Sequence, residues 1–212
     1  MTDTIIDLIR HGEPVGGRLY RGHTIDDPLS DKGWQQMSQA VGMHAPWSHI
    51  VSSPLIRCRS FAETLAGEHG IPIAIDTRLR EVGFGDWEGK TPDELKREHL
   101  HDYEAFYADP LNNRPSGAEP LEQFKARVTL AYTEIASHHR GQHILLVTHA
   151  GVIRAVIAHI LCAGPLGMYR IKVHNAGITR IISTPNGDML EYHNHILNDQ
   201  DPEYGRNTDV PG

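Results

Sequence analysis

One stretch constrains the fold more than any other: Ile5-Ile6-Asp7-Leu8-Ile9-Arg10-His11-Gly12-Glu13. A run this rich in Ile and Leu reads as a buried strand. It stops abruptly, with a guanidinium, an imidazole and a glycine arriving together at its end. Open α/β sheets bind ligands beyond the carboxyl ends of their strands, so this is a candidate site. Taken alone, Arg10 and His11 read better as the polar cap of a core strand. The rest of the chain changes that reading.

The same pattern recurs twice. His49-Ile50-Val51-Ser52-Ser53 is a short strand ending in small polar residues. Pro54 then opens a helix through about Glu68, with Arg57 in its first turn and Leu55, Cys58, Phe61, Ala62 and Leu65 on one face. His143 to Thr148 is the clearest central strand; it terminates at His149-Ala150-Gly151, and a helix follows from Val152 to about Leu161. Between these junctions, Pro14 to Asp31 is a polar loop too long to be filler. Helices are expected over Lys32–His44, Thr91–Ala108 and Leu121–His139. Ile71–Ile75 is a further apolar run, Gly83–Gly89 a glycine-rich segment, and Leu111–Pro120 a loop. Tyr169–Val173, Ile178–Ser183 and Met189–His195 read as closing strands, the last two joined by a turn at Pro185-Asn186-Gly187. Strands alternating with helices predict a three-layer α/β/α sandwich with a mostly parallel central sheet. Residues 1–197 are expected to form one domain, and 198–212 a loosely held tail.

Composition narrows the chemistry. The 212 residues carry a net charge of −7, which argues against a general nucleic-acid surface. Any anion site must come from a local arginine cluster. The first residues lack a signal-peptide pattern and no apolar run reaches membrane-spanning length, so a cytoplasmic protein is expected. Cys58 and Cys162 read as buried free thiols. Gly85 to Thr91 imitates a phosphate-binding P-loop, but only three residues separate its glycines and no strand leads into it. Cys58 is followed six residues later by Thr64, not by the Arg of a cysteine-based phosphatase loop. His99 and His101, His138-His139, and His193 with His195 lack convincing metal-ligand spacing, so no metal or cofactor is expected beyond adventitious zinc or nickel. Trp34, Trp47, Trp87 and the Tyr103, Phe106, Tyr107 cluster read as core or pocket wall.

Three junctions thus end in what a phosphate site needs. The first supplies Arg10 and His11, the second Ser52-Ser53 with Arg57, the third His149 before a helix N-terminus. Paired guanidiniums grip phosphate oxygens bidentately. The constellation resembles the histidine phosphatase superfamily, the phosphoglycerate-mutase-like proteins, from about Ile5 to Ser183. Leu8 to Glu13 looks like the family signature, Ser52 to Arg57 resembles its second motif, and Val147 to Gly151 its last. Leu79-Arg80-Glu81, followed by Phe84 to Gly89, resembles the segment carrying the family's acidic residue.

That resemblance implies that His11 is the nucleophile, that Arg10, Arg57 and His149 hold the phosphoryl group, and that Glu81 is the general acid, with Glu13 and Glu88 as competing carboxylates. Gly17 to Thr24, Asp27 to Gly33 and Phe84 to Glu88 look most like the alpha-ribazole phosphatase branch. This implies removal of a 5′-phosphate in cobalamin synthesis. Two residues depart from the pattern. Pro14 stands where many relatives carry Thr or Ser, and Gly17 where many carry an Asn that donates to the phosphate. Arg18, Arg21 or His23 are candidates to replace that contact. The expected substrate contacts are Arg18, Arg21, Gly22 and His23, with Ala150 beside His149. The alternatives are a cofactor-dependent phosphoglycerate mutase, which usually carries a longer insertion after the acidic segment, and a broad-specificity sugar phosphatase. The expected partner is a small phosphorylated metabolite, with no nucleic acid or membrane involved and the chain a monomer or homodimer.

Overall fold

In the computed structural model, which describes residues 2–43 and 45–197, side chains of the first strand alternate between two cores. Ile6 and Leu8 enter one, Ile9 the other. The strand β1 (Thr4–Arg10) is therefore covered on both faces, which is why its sequence is a nearly unbroken apolar run. The other strands are β2 (His49–Ser52), β3 (Ile73–Ile75), β4 (His143–Thr148), β5 (Ile178–Thr184) and β6 (Gly187–His195). They form one six-stranded sheet in the order β3-β2-β4-β1-β5-β6. The pairs β3–β2, β2–β4 and β4–β1 are parallel, while β5 runs antiparallel to both β1 and β6.

Helices cover both faces. One core takes α5 (Leu121–His138), through Leu121, Phe124, Val128, Ala131, Tyr132 and Ile135, and α6 (Ala150–Ile160). The opposite core takes α1 (Asp31–Val41) and α2 (Ile56–His69), with Met37, Cys58, Phe61 and Leu65 buried there. This is the expected three-layer α/β/α sandwich with a mostly parallel sheet. Among the described residues no helix is long and apolar enough to cross a membrane.

Register delivers the site. Arg10 pairs with Thr148 across β1 and β4, and Ser52 pairs with Val147 across β2 and β4. His11 and His149 must then emerge side by side at the carboxyl edge, with Ser53 one step behind them, level with Thr148. The ladder bonds continue one step further, from His11 N–H to the Thr148 carbonyl (2.9 Å) and from Ser53 N–H to the Val147 carbonyl (3.0 Å). Gly12 makes the turn possible: a Cβ there would strike the backbone of Gly33 in the first turn of α1.

Several elements differ from expectation. Helix α1 stops at Val41 because Gly42 takes φ +59°, a conformation that ends a helix cheaply only in glycine. The region from Thr91 to Ala108 is two helices, α3 (Pro92–Glu98) and α4 (Leu100–Ala108), broken where His99 adopts φ −141°. Tyr169–Val173 is not a strand; residues 165–170 form a 3-10 turn. The free edge of β1 is taken by β5, and arginine side chains bind the carbonyls a ladder would have used, Arg154 that of Ile171 and Arg10 that of Val173. The Ile71–Ile75 run yields only the three-residue edge strand β3, exposed throughout. Cys58 is buried, but Cys162 is exposed, in the turn after α6 with φ +53°. The expected tail, 198–212, lies outside the described residues.

Candidate active site

Arg10, His11, Arg57 and Glu81 line one cavity of about 390 Å³ at the carboxyl edge of the sheet. Glu13, Gly17, Arg18, Leu19, Tyr20, Arg21, Gly22, Phe84 and Asn175 complete most of its wall. His149 lies directly behind, its ring meeting that of His11 edge-on at 5.2 Å between centroids.

The chemistry of His11 follows from its surroundings. Its Nδ1–H donates to the Gly12 carbonyl at 2.7 Å, so in the neutral ring the lone pair sits on Nε2. Burial first, then the positive fields of Arg57 and Arg10, hold its pKa well below the ordinary 6.5. His149 is fully buried and is pushed down in the same way, by burial, then Arg57 and His11. Its Nε2 hydrogen-bonds Ser53 Oγ at 2.7 Å. The Cys58 thiol packs 3.5 Å from the same nitrogen; burial raises its pKa, so it stays un-ionised and unreactive.

Both arginines are tethered yet incomplete. Arg10 Nη1 donates to the Val173 carbonyl at 2.7 Å. Arg57, only 1% exposed, donates from Nη1 to Ile25 (3.0 Å) and from Nη2 to Gly22 (2.8 Å). The Nε atoms of both are buried without a hydrogen-bond partner among the described residues. Orphaned cationic donors at a cavity are what an anion would satisfy. Burial lowers the pKa of Arg10 to about 10, which still leaves it charged at neutral pH.

Of the three carboxylates, position favours Glu81. Glu13 reaches the cavity but is paired with Lys32 at 2.8 Å. Glu88 is engaged elsewhere, by the Thr24 N–H and hydroxyl and by the Phe84 N–H. Glu81 is half-buried, and its carboxylate accepts from Gly151 N–H (3.1 Å) in the first turn of α6 and from Val82 N–H (3.0 Å). A Cβ at position 151 would collide with Glu81 Oε1, so the close approach requires glycine.

The loop residues divide. Gly22 and Arg18 line the cavity, and Arg18 is exposed. Arg21 also lines it, but its Nε pairs with Asp27 at 2.8 Å and its Nη1 binds the Gly17 carbonyl at 2.8 Å, so it braces the loop. His23 and Ala150 are not among the lining residues; His23 Nδ1 lies 3.3 Å from the Glu81 carbonyl instead. Tyr20, Phe84 and Asn175 join the wall, and Asn175 comes from a loop that carries no periodic signal in the sequence. Among the described residues no group of three or more His, Cys, Asp or Glu side chains is arranged to hold a metal.

Comparison with known proteins identifies the family. The histidine phosphatase superfamily (branch 1) matches residues 6–196. The adenosylcobalamin/alpha-ribazole phosphatase of Salmonella typhimurium is 32% identical over 171 residues, 78% of this chain and 84% of that protein. The solved alpha-ribazole phosphatase of Shigella flexneri has a TM-score of 0.77 at 26% identity, covering 91% of this chain and 98% of its own. A mycobacterial glucosyl-3-phosphoglycerate phosphatase gives 0.79 at 26% identity, covering 91% and 99%. By motif, fold and relatives, the chain belongs to the histidine phosphatase superfamily, as a phosphoric monoester hydrolase of branch 1.

Proposed function

We propose that the chain hydrolyses a small phosphorylated metabolite through a phosphohistidine on His11, with alpha-ribazole 5′-phosphate as the first substrate to test. The observation that carries this reading is the neutral, buried imidazole of His11, its Nδ1 proton tied to Gly12, beside two arginines with unsatisfied Nε donors. His11 Nε2 attacks phosphorus in line; the N–P bond forms as the ester P–O bond breaks. Arg10 and Arg57 hold the non-bridging oxygens, where preorganised donors stabilise the charge that spreads in the transition state, and His149, buried outside the cavity lining and edge-on to His11, supports them from behind the nucleophile. Glu81 gives a proton to the leaving oxygen. It then takes one from water, whose oxygen attacks phosphorus and frees His11 and inorganic phosphate.

The substrate assignment is supported by the Salmonella and Shigella relatives. Activity on p-nitrophenyl phosphate is expected to survive EDTA, to fall with vanadate and to disappear in His11→Ala. A metabolite panel containing alpha-ribazole 5′-phosphate and sugar phosphates identifies the substrate. Primer-dependent exchange of 2- and 3-phosphoglycerate would instead mark a mutase. The reading takes the enzyme as a cytoplasmic monomer or homodimer, and sizing chromatography distinguishes the two.

A further inference from the structure

The cavity takes donors from two loops, and the first is nearly exhausted. Among residues 14–29, Gly17 has no side chain. Arg21 directs Nε to Asp27, Nη1 to the Gly17 carbonyl and Nη2 to that of Val15. His23 sits behind the wall against the Glu81 carbonyl. Arg18 reaches the cavity, but it is exposed and nothing holds its long side chain in one pose.

The second loop, residues 171–177, is fastened to Arg10 on either side of Asn175. Arg10 Nη1 donates to the Val173 carbonyl at 2.7 Å, and the Ala176 N–H donates to the Arg10 carbonyl at 3.0 Å. Asn194 pins the loop from outside, accepting from His174 N–H (2.8 Å) and donating to the Lys172 carbonyl (2.7 Å). Ala176 is held at φ +57°, a left-handed conformation that non-glycine residues adopt mainly where the surroundings impose it. Within this rigid frame the half-buried Asn175 lines the cavity. Its carboxamide, alone among the loop's polar side chains in facing the site, makes no hydrogen bond to the described residues. An amide with N–H donors to spare, on a backbone held in place next to a guanidinium, is suited to bind an anion, because only its own side-chain torsions remain to be ordered.

We propose that Asn175 is a phosphoryl-binding residue, supplying from the 171–177 loop the amide donor that Gly17 does not provide. This rests on the reading of the cavity as the phosphoryl site. Its Nδ2–H donates to a non-bridging oxygen already gripped by Arg10, in the bound ester and in the transition state alike.

The probes are inorganic phosphate and vanadate as inhibitors of p-nitrophenyl phosphate hydrolysis. Asn175→Ala is expected to weaken phosphate inhibition and to lower kcat/KM, each by about 10- to 100-fold, the effect of one hydrogen bond to a charged group. The thermal unfolding midpoint should not move, since the loop is held by other residues. Asn175→Asp keeps the shape but presents a carboxylate, and should lose at least as much. Wild-type phosphate affinity in either variant overturns the proposal. So does a fall in kcat/KM that comes with a lower unfolding midpoint and unaltered phosphate inhibition. If His11→Ala is inert while Asn175→Ala binds phosphate normally, the Asn175 assignment alone fails. If His11→Ala turns over normally, the reading of the cavity itself fails.

Discussion

At His11, burial and two guanidiniums act in the same direction. Each disfavours the imidazolium, so the nucleophilic ring stays neutral far into the acid range. With p-nitrophenyl phosphate, whose own phosphate ionises at lower pH than an alkyl ester, the enzyme limb of the kcat/KM profile should therefore lie well below 6.5; a limb at 6.5 that does not shift between substrates of different phosphate pKa would mean an unperturbed imidazole. Glu81 depends on a different local feature, the absence of a side chain at Gly151. Gly151→Ala should push the carboxylate off the first turn of α6. A p-nitrophenolate leaves without protonation and an alkoxide does not. The variant should accordingly lose about 10²-fold or more on alkyl phosphates and much less on p-nitrophenyl phosphate. Equal losses on both substrates would remove Glu81 from the acid role.

At the scale of elements, the parallel core was readable because a strand buried on both faces has little choice but a continuous apolar run. The β1 and β4 stretches show this, and the helices after β2 and β4 begin where small and polar residues interrupt the apolar pattern. Tyr169–Val173 has strand-like composition, yet Arg154 and Arg10 hold the Ile171 and Val173 carbonyls, contacts between distant segments that no local pattern encodes. Asn175 was missed for the same reason. The 14–29 loop was legible as a place and not as a pose. Its charged residues looked alike in sequence, but the structure separates Arg21, 7% exposed and paired with Asp27, from the exposed Arg18. Arg21→Ala should lower the unfolding free energy by about 1–3 kcal/mol in urea titrations, as expected when a buried charged donor network is lost. Arg18→Ala should leave it unchanged. The reverse order would show that the loop is braced elsewhere.

Across the whole molecule, activity and stability rest on different charged groups of the same strand. Asp7, three residues before Arg10 and fully buried, accepts from Trp47 Nε1 (2.8 Å), His143 Nε2 (2.7 Å) and Arg180 Nε (2.8 Å). Burial alone would raise its pKa; the bonds from His143 and Arg180 outweigh that and hold it below the usual 3.8. Its stabilising contribution is therefore complete above that value and is lost as pH falls below it. Asp7→Ala leaves Arg180 with the more distant Glu191 (3.7 Å) and removes the acceptor of buried Trp47 Nε1, and should cost about 3–5 kcal/mol of stability, while kcat/KM per folded molecule stays at the wild-type level. A loss of activity without a loss of stability would tie this network to the site instead.

The central claim is that His11 carries the phosphoryl group between substrate and water. Rapid quenching during turnover of a labelled phosphate ester, followed by peptide mapping, tests it directly. An acid-labile, base-stable phosphate should appear on the peptide containing His11 and be absent from His11→Ala. Label on a peptide lacking His11, or turnover with no labelled enzyme at any quench time, would contradict it.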